Sequence, residues 1–193
     1  MNKKILMTHL YYGDISPKFS DNLAITLFNS GADMLEIGIP YSDPVSDGPV
    51  FQKACRQALE RGITPLDVLK GIKKIREKTD KPIYLTSYFG PIFKLGAEKF
   101  CSLAKDAGVN GLIIPDFPIE EQVNFPEINL PVIQFATVYS DEKRLERIIG
   151  KSIEFIYCIG LIVVNEIQYQ ISIVAMPYNF YNLLIAEINS RIY

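Results

Sequence analysis

The sequence predicts an α/β protein with a parallel sheet, on three observations. Strand-like and helix-like stretches alternate along the chain, and the strand stretches are apolar runs of the kind expected of strands buried on both faces. The helical stretches stop at glycines, Gly31, Gly62 and Gly108, where a right-handed helix commonly ends.

In order, a first strand is expected over 5–10, followed by a turn at Tyr11-Tyr12-Gly13-Asp14. Ser20 or Asp21 can cap a helix carrying Leu23, Ile25, Leu27 and Phe28. A second strand over 34–37 leads through an acidic loop into a helix over 50–61, and Thr64-Pro65 opens another over 66–78 with Val68, Leu69, Ile72 and Ile75 at helical spacing. Pro82 introduces a strand at 83–87, followed by a helix at 97–107 and a strand at 111–114 that ends in Pro115-Asp116-Phe117-Pro118. A short helix at 120–123, a strand at 132–136, a helix capped by Asp141 and running through 149, and a strand at 153–158 complete the regular pattern.

Two architectures suit this order, a doubly wound sheet and a (β/α)8 barrel. The glycine-rich turn of the first is missing, because Leu10-Tyr11-Tyr12-Gly13-Asp14 has a single glycine. Acids instead follow several different strands: Asp14, then Glu36 to Asp47, then Asp116. Convergence from several strand ends is the barrel habit, so a TIM (β/α)8-type barrel is the preferred reading.

With 193 residues the chain suffices for one domain with a substantial core. It is 48% hydrophobic and 22% charged with a formal net charge of -2, and it has no basic block suited to nucleic acid. The N-terminal MNKKILMTHLYYGD reads as a strand rather than a leader, and no apolar run is long enough to suggest a membrane span. Cys55, Cys101 and Cys158 lack metal-like spacing and are expected as buried thiols of a reducing cytoplasm.

Chemistry concentrates in MLEIGIPYSDPVSDGPVFQ, residues 34–52. Glu36 interrupts an apolar strand, and a carboxylate in such surroundings must be paired, protonated or used. The loop after it holds Asp43 and Asp47 and is fixed by Pro40, Pro44, Gly48 and Pro49. Read without further context, Glu36 could be a structural acid paired with a lysine, and Asp43, Asp47 and Asp116 could be turn-formers. Tyr88 and Tyr157 read as core aromatics, and His9, the only histidine, as a packed strand residue.

LEIGIPYSDPVSDGPVFQ closely resembles the signature of the tryptophan synthase alpha subunit family. Ser30-Gly31-Ala32-Asp33, Arg61-Gly62-Ile63-Thr64-Pro65, Ser87-Tyr88, Asp106-Ala107-Gly108-Val109, Asp116 to Glu121 and Phe155-Ile156-Tyr157-Cys158 resemble it too, so the likeness covers about residues 1–158. The resemblance implies a TIM barrel and a lyase that cleaves indole-3-glycerol phosphate to indole and glyceraldehyde 3-phosphate in tryptophan biosynthesis. It implies an α2β2 complex with a beta subunit, with no cofactor in the alpha chain and pyridoxal phosphate only in the partner.

By matching positions, Glu36 would be the catalytic acid/base and Asp47 the second catalytic carboxylate, with Tyr88 and Tyr157 lining the substrate site. Asp43, Pro44 and Asp116 would face the beta subunit. The reaction needs a proton on an indole ring carbon and the removal of one from a hydroxyl. One buried carboxyl with a raised pKa can serve both transfers, while a carboxylate on the wetter loop accepts the indole N–H. Ser46 stands where the family has alanine.

After Cys158 the expected glycine-rich phosphate turns cannot be drawn: Gly160 is the only glycine in 159–193. The expectation is therefore an incomplete barrel of about six family-like βα units, 1–158, with a divergent tail of the same domain, 159–193. Strands near 161–164 and 171–175 and a helix near 183–189 are expected there. An interrupted reading frame and a remodelled barrel end are both open, as is a catalytically weak remnant that at most binds the beta subunit.

Overall fold

The computed structural model describes residues 5–137, 139–164 and 167–175. The chain divides into two compact units. The first spans residues up to Phe117 together with Asn124–Pro131, and the second holds Pro118–Val123 and the chain from Val132 on.

In the first unit, β1 (Met7–Tyr11), β2 (Met34–Gly38), β3 (Ile83–Thr86) and β4 (Gly111–Ile113) form a parallel sheet in sequence order. The crossovers carry α1 (Pro17–Asn29), then α2 (Pro49–Glu60) with α3 (Pro65–Arg76), then α4 (Phe89–Leu95) with α5 (Ala97–Asp106). Strand joined to parallel strand through helix is the barrel-type connection that the residue pattern predicted.

The register separates two faces. His9 pairs with Glu36 and Glu36 with Tyr84, while Tyr11 pairs with Gly38 and Gly38 with Thr86. Laterally paired residues project to the same side and alternate residues share a face. One face therefore carries His9, Tyr11, Glu36, Tyr84 and Thr86, and the other carries Leu10, Leu35, Ile37, Ile83 and Leu85, all buried. These strands are thus not the non-alternating apolar runs that the sequence suggested. Both faces are enclosed, and one of them is polar.

Local chemistry accounts for the helix ends. Ser16, not Ser20 or Asp21, caps α1: its side chain accepts from the Phe19 amide, because Pro17 sets the first helical φ one turn earlier. Ser20 lies buried inside the helix and accepts from the Gly13 amide at 2.9 Å, while Asp21 accepts from the Tyr12 hydroxyl at 2.8 Å. Thr64 opens α3 with a capping box to Asp67. The helix α4 was not expected, because Gly90 and Pro91 weaken its pattern; its first amide, on Phe89, donates to Asp116 Oδ1 at 2.8 Å.

In the second unit, β5 (Gln134–Thr137) pairs parallel with β6 (Ile156–Val164) across α6 (Glu142–Lys151), which Asp141 caps as predicted. Ala136, Leu145, Ile148 and Ile156 form its core. A 3-10 turn, Gln122–Asn124, stands where a short helix was expected. The strand read near 161–164 is the continuation of β6, and β7 (Ile167–Ala175) runs back antiparallel to it. Only two residues separate β6 from β7, which permits an antiparallel return but not a parallel crossover of a dozen residues. The helix read near 183–189 lies outside the described residues.

Candidate active site

Glu36 sits in the middle of β2 and is 4% exposed. A carboxyl group that far from water needs local donors to offset lost hydration. Thr86 supplies one, its hydroxyl donating to Glu36 Oε1 at 2.5 Å. His9 Nδ1 also lies 3.2 Å from the same oxygen. A threonine and a histidine on the two flanking strands thus stand beside the carboxyl group.

Asp47 hangs from the loop between β2 and α2. Its Oδ2 accepts the Tyr11 hydroxyl and the Tyr88 hydroxyl, each at 2.9 Å. Tyr88 also accepts the Ser46 amide at 2.9 Å, and Gln52 donates to the Asp47 carbonyl at 2.8 Å, so backbone and side chain of the loop are both tethered. Burial pushes the Tyr11 hydroxyl well above its ordinary pKa, and the Asp47 charge pushes it further. Burial and the bond to Asp47 act the same way on Tyr88. Both phenols therefore remain protonated donors throughout the working range of pH.

Glycine makes this arrangement possible. Gly38 faces Tyr11 in the register, and a Cβ on it would stand 2.6 Å from Tyr11 Cδ1 and Cε1. The absent side chain is the space across which the Tyr11 ring lies. Phe51, from the first turn of α2, stacks on His9 at 4.6 Å between centroids and meets Tyr11 edge-on at 5.8 Å. It covers both rings.

Of the residues named from sequence, Glu36, Asp47 and Tyr88 belong to the first unit, the last two in direct contact. Tyr157 belongs to the second unit, where it packs at 5.3 Å on Phe135, its register partner. Asp43 and Pro44 line a cleft of about 420 Å³ with Tyr41, Gln52, Arg56 and Leu59. The Asp43 carbonyl accepts the Val45 amide and that of Pro44 accepts the Asp47 amide, so both residues also shape the turn. Asp116 is exposed and bonds the first amide of α4, immediately after Tyr88. Cys55 and Cys101 are buried as expected, whereas Cys158 is partly exposed.

Sequence reading missed His9, Tyr11 and Thr86. The signal was present as a period of two, His9 then Tyr11, Glu36 then Gly38, Tyr84 then Thr86, which sets one polar face against one apolar face.

Parallel βα units with acids and phenols gathered at the strand face and the following loop define an incomplete TIM (β/α)8-barrel protein with a carboxylate site. The comparisons with known proteins narrow this class. The family model for the tryptophan synthase alpha chain matches residues 1–172, and the chain belongs to that family. The tryptophan synthase alpha chain of Carboxydothermus hydrogenoformans is 39% identical over 163 residues, 82% of this chain and 61% of the relative. That of Clostridium acetobutylicum is 34% identical over 190 residues, 92% of this chain and 72% of the relative. A crystal structure of the alpha chain from Legionella pneumophila subsp. pneumophila matches with a TM-score of 0.78 at 32% identity, covering 85% of this chain and 64% of that one. A tryptophan synthase complex from Pyrococcus furiosus matches at 0.76 and 29% identity, covering 81% and 66%. The chain thus spans about 61% of the length of the first of these relatives. Among the described residues no helix is long and apolar enough to cross a membrane.

Proposed function

We propose that this chain performs the alpha-type reaction of tryptophan synthase, cleaving indole-3-glycerol phosphate to indole and glyceraldehyde 3-phosphate, in the cytoplasm and together with a beta subunit. The observation that carries the proposal is the pair of unlike carboxyl groups within the family motif: Glu36, buried and 4% exposed, and Asp47, on a loop and tethered by two phenols.

Glu36 delivers a proton to the indole ring carbon that bears the side chain and removes one from the side-chain hydroxyl that becomes the aldehyde. The carbon–carbon bond breaks between these transfers, and the carboxyl group ends as it began. Asp47 accepts the indole N–H and stabilises positive charge developing on the ring. Tyr11 and Tyr88 occupy its Oδ2, which leaves Oδ1 as the oxygen for the substrate. The chemistry moves protons only, so the alpha chain uses no cofactor, and pyridoxal phosphate belongs to the partner. Asp43 and Pro44, in the cleft beside the loop, and Asp116 are the positions for contact with the beta subunit.

The test is indole release from indole-3-glycerol phosphate by the purified chain, with and without a beta subunit. Release that rises with the partner supports the proposal. No release, combined with normal activation of the beta reaction, assigns the chain to a binding role alone.

A further inference from the structure

We propose that Thr86 is a positioning residue for Glu36: its hydroxyl fixes one oxygen of the carboxyl group and favours the charged form, against the burial that favours the neutral one. The inference rests on the reading of Glu36 as the proton-transfer group.

Thr86 ends β3 at a position that the sheet pins from both sides. It stands opposite Gly38 on β2 and Ile113 on β4, and its carbonyl accepts the Ile39 amide at 2.8 Å. Tyr84, two residues earlier, is the register partner of Glu36, so Thr86 shares the face of Glu36 one step nearer the loop that carries Asp47. Its side chain is β-branched and buried, so few rotamers are open to it. The hydroxyl oxygen lies 2.5 Å from Oε1, within the range of a hydroxyl that donates to an ionised carboxylate.

Burial and this hydroxyl act on the carboxyl in opposite senses. An enclosed carboxylate is disfavoured, whereas a donor to the charged form favours it. The cycle needs both forms, one to give a proton to the ring carbon and one to take a proton from the hydroxyl. A neutral donor leaves both within reach, where the full charge of a lysine or arginine beside the carboxyl would hold it ionised. The other titratable groups on this face are His9 and Tyr11 from β1 and Tyr84 from β3, with His9 Nδ1 3.2 Å from Oε1. Asp47, from the loop, and Cys55, from α2, bear on Tyr11. Thr86 differs from all of these in carrying no charge in any state, so its replacement by valine removes a hydrogen bond without altering a charge.

Carboxyl-¹³C glutamate labelling follows the ionisation of Glu36, whose signal is the one absent from Glu36→Gln. Thr86→Val keeps the branched shape without the hydroxyl, and its Glu36 midpoint should lie about one pH unit or more above the parent's, as for loss of a hydrogen bond to a charged group. Thr86→Ser keeps the hydroxyl and should stay within about 0.3 unit of the parent, while Thr86→Cys, a weaker donor, should fall between. In the kinetic arm, the limb of the pH profile of indole release that reports Glu36 should move to higher pH in Thr86→Val and return in Thr86→Ser. A Thr86→Val midpoint equal to the parent's, or a Thr86→Ser midpoint displaced as far as that of Thr86→Val, overturns the inference. A Thr86→Cys midpoint no higher than the parent's does so too, and this arm stands even if Thr86→Val does not fold. The expected shifts in a chain that releases no indole uphold the hydrogen bond and overturn the lyase reading instead.

Discussion

Gly38 and Tyr11 stand opposite one another in the β1–β2 register, and the side chain missing from Gly38 is the space in which the Tyr11 ring lies on its way to Asp47. A backbone position at the end of β2 thereby governs a hydrogen bond to the loop that follows the same strand. In Gly38→Ala the added methyl forces Tyr11 aside and detaches its hydroxyl from Oδ2. Indole release should fall about tenfold or more, and the loss should not add to that of Tyr11→Phe, since both remove one contact. Additive losses in the double variant would show that Gly38 acts by another route.

The two phenols on Asp47 are each expected to contribute about 1.5–3 kcal/mol as donors to a charged acceptor. Tyr11→Phe and Tyr88→Phe should therefore each lower kcat/KM by about ten- to a hundredfold. Steady-state kinetics on the single and double variants measure this. Tyr88→Phe should also loosen the loop, because its hydroxyl accepts the Ser46 amide. Faster amide exchange at Ser46 is the accompanying readout.

Much of this frame was legible in the chain. Gly31, Gly62 and Gly108 end helices where the sequence placed their ends, and Thr64 and Asp141 cap as their positions implied. Glu36 was identifiable because an acid in an apolar strand has few innocent explanations. His9 and Thr86 were not, because each is ordinary by itself and gains meaning only when strand register sets it beside Glu36. Strand pairing is a long-range fact, and a period of two in short strands was hidden by the apolar residues between. At the other end, an apolar β-branched run showed that strands would form but not that β7 would return antiparallel.

Gly71 lies inside α3, where replacement by alanine ordinarily stabilises a helix by up to about 1 kcal/mol. Here the opposite is expected, since a Cβ at Gly71 would stand 2.3 Å from Cζ and the hydroxyl oxygen of the buried Tyr12. Gly71→Ala should destabilise the protein by about 1–3 kcal/mol, the usual cost of overpacking. Urea unfolding of parent and variant checks the sign.

The capping box at Thr64 gives a prediction with a pH dependence. The Thr64 hydrogen bond holds the Asp67 carboxyl below the usual carboxylate range, against the opposing effect of burial. A depressed pKa in the folded state stabilises the fold above the unfolded value, about 3.9, and this stability is lost as pH falls through the folded value. Thr64→Ala should cost about 1 kcal/mol at neutral pH. The difference between parent and variant should shrink below about pH 4, as read from unfolding midpoints across a pH series.

The division of labour between the two carboxyl groups is tested most directly by the rate of indole release in Glu36→Gln and Asp47→Asn, measured beside the parent with the beta subunit present. Glu36→Gln preserves the shape of the side chain but cannot carry the proton, so its rate should fall by at least about a hundredfold, the scale of general acid–base catalysis. Asp47→Asn should fall strongly but retain a measurable rate. Normal turnover in Glu36→Gln would contradict the account.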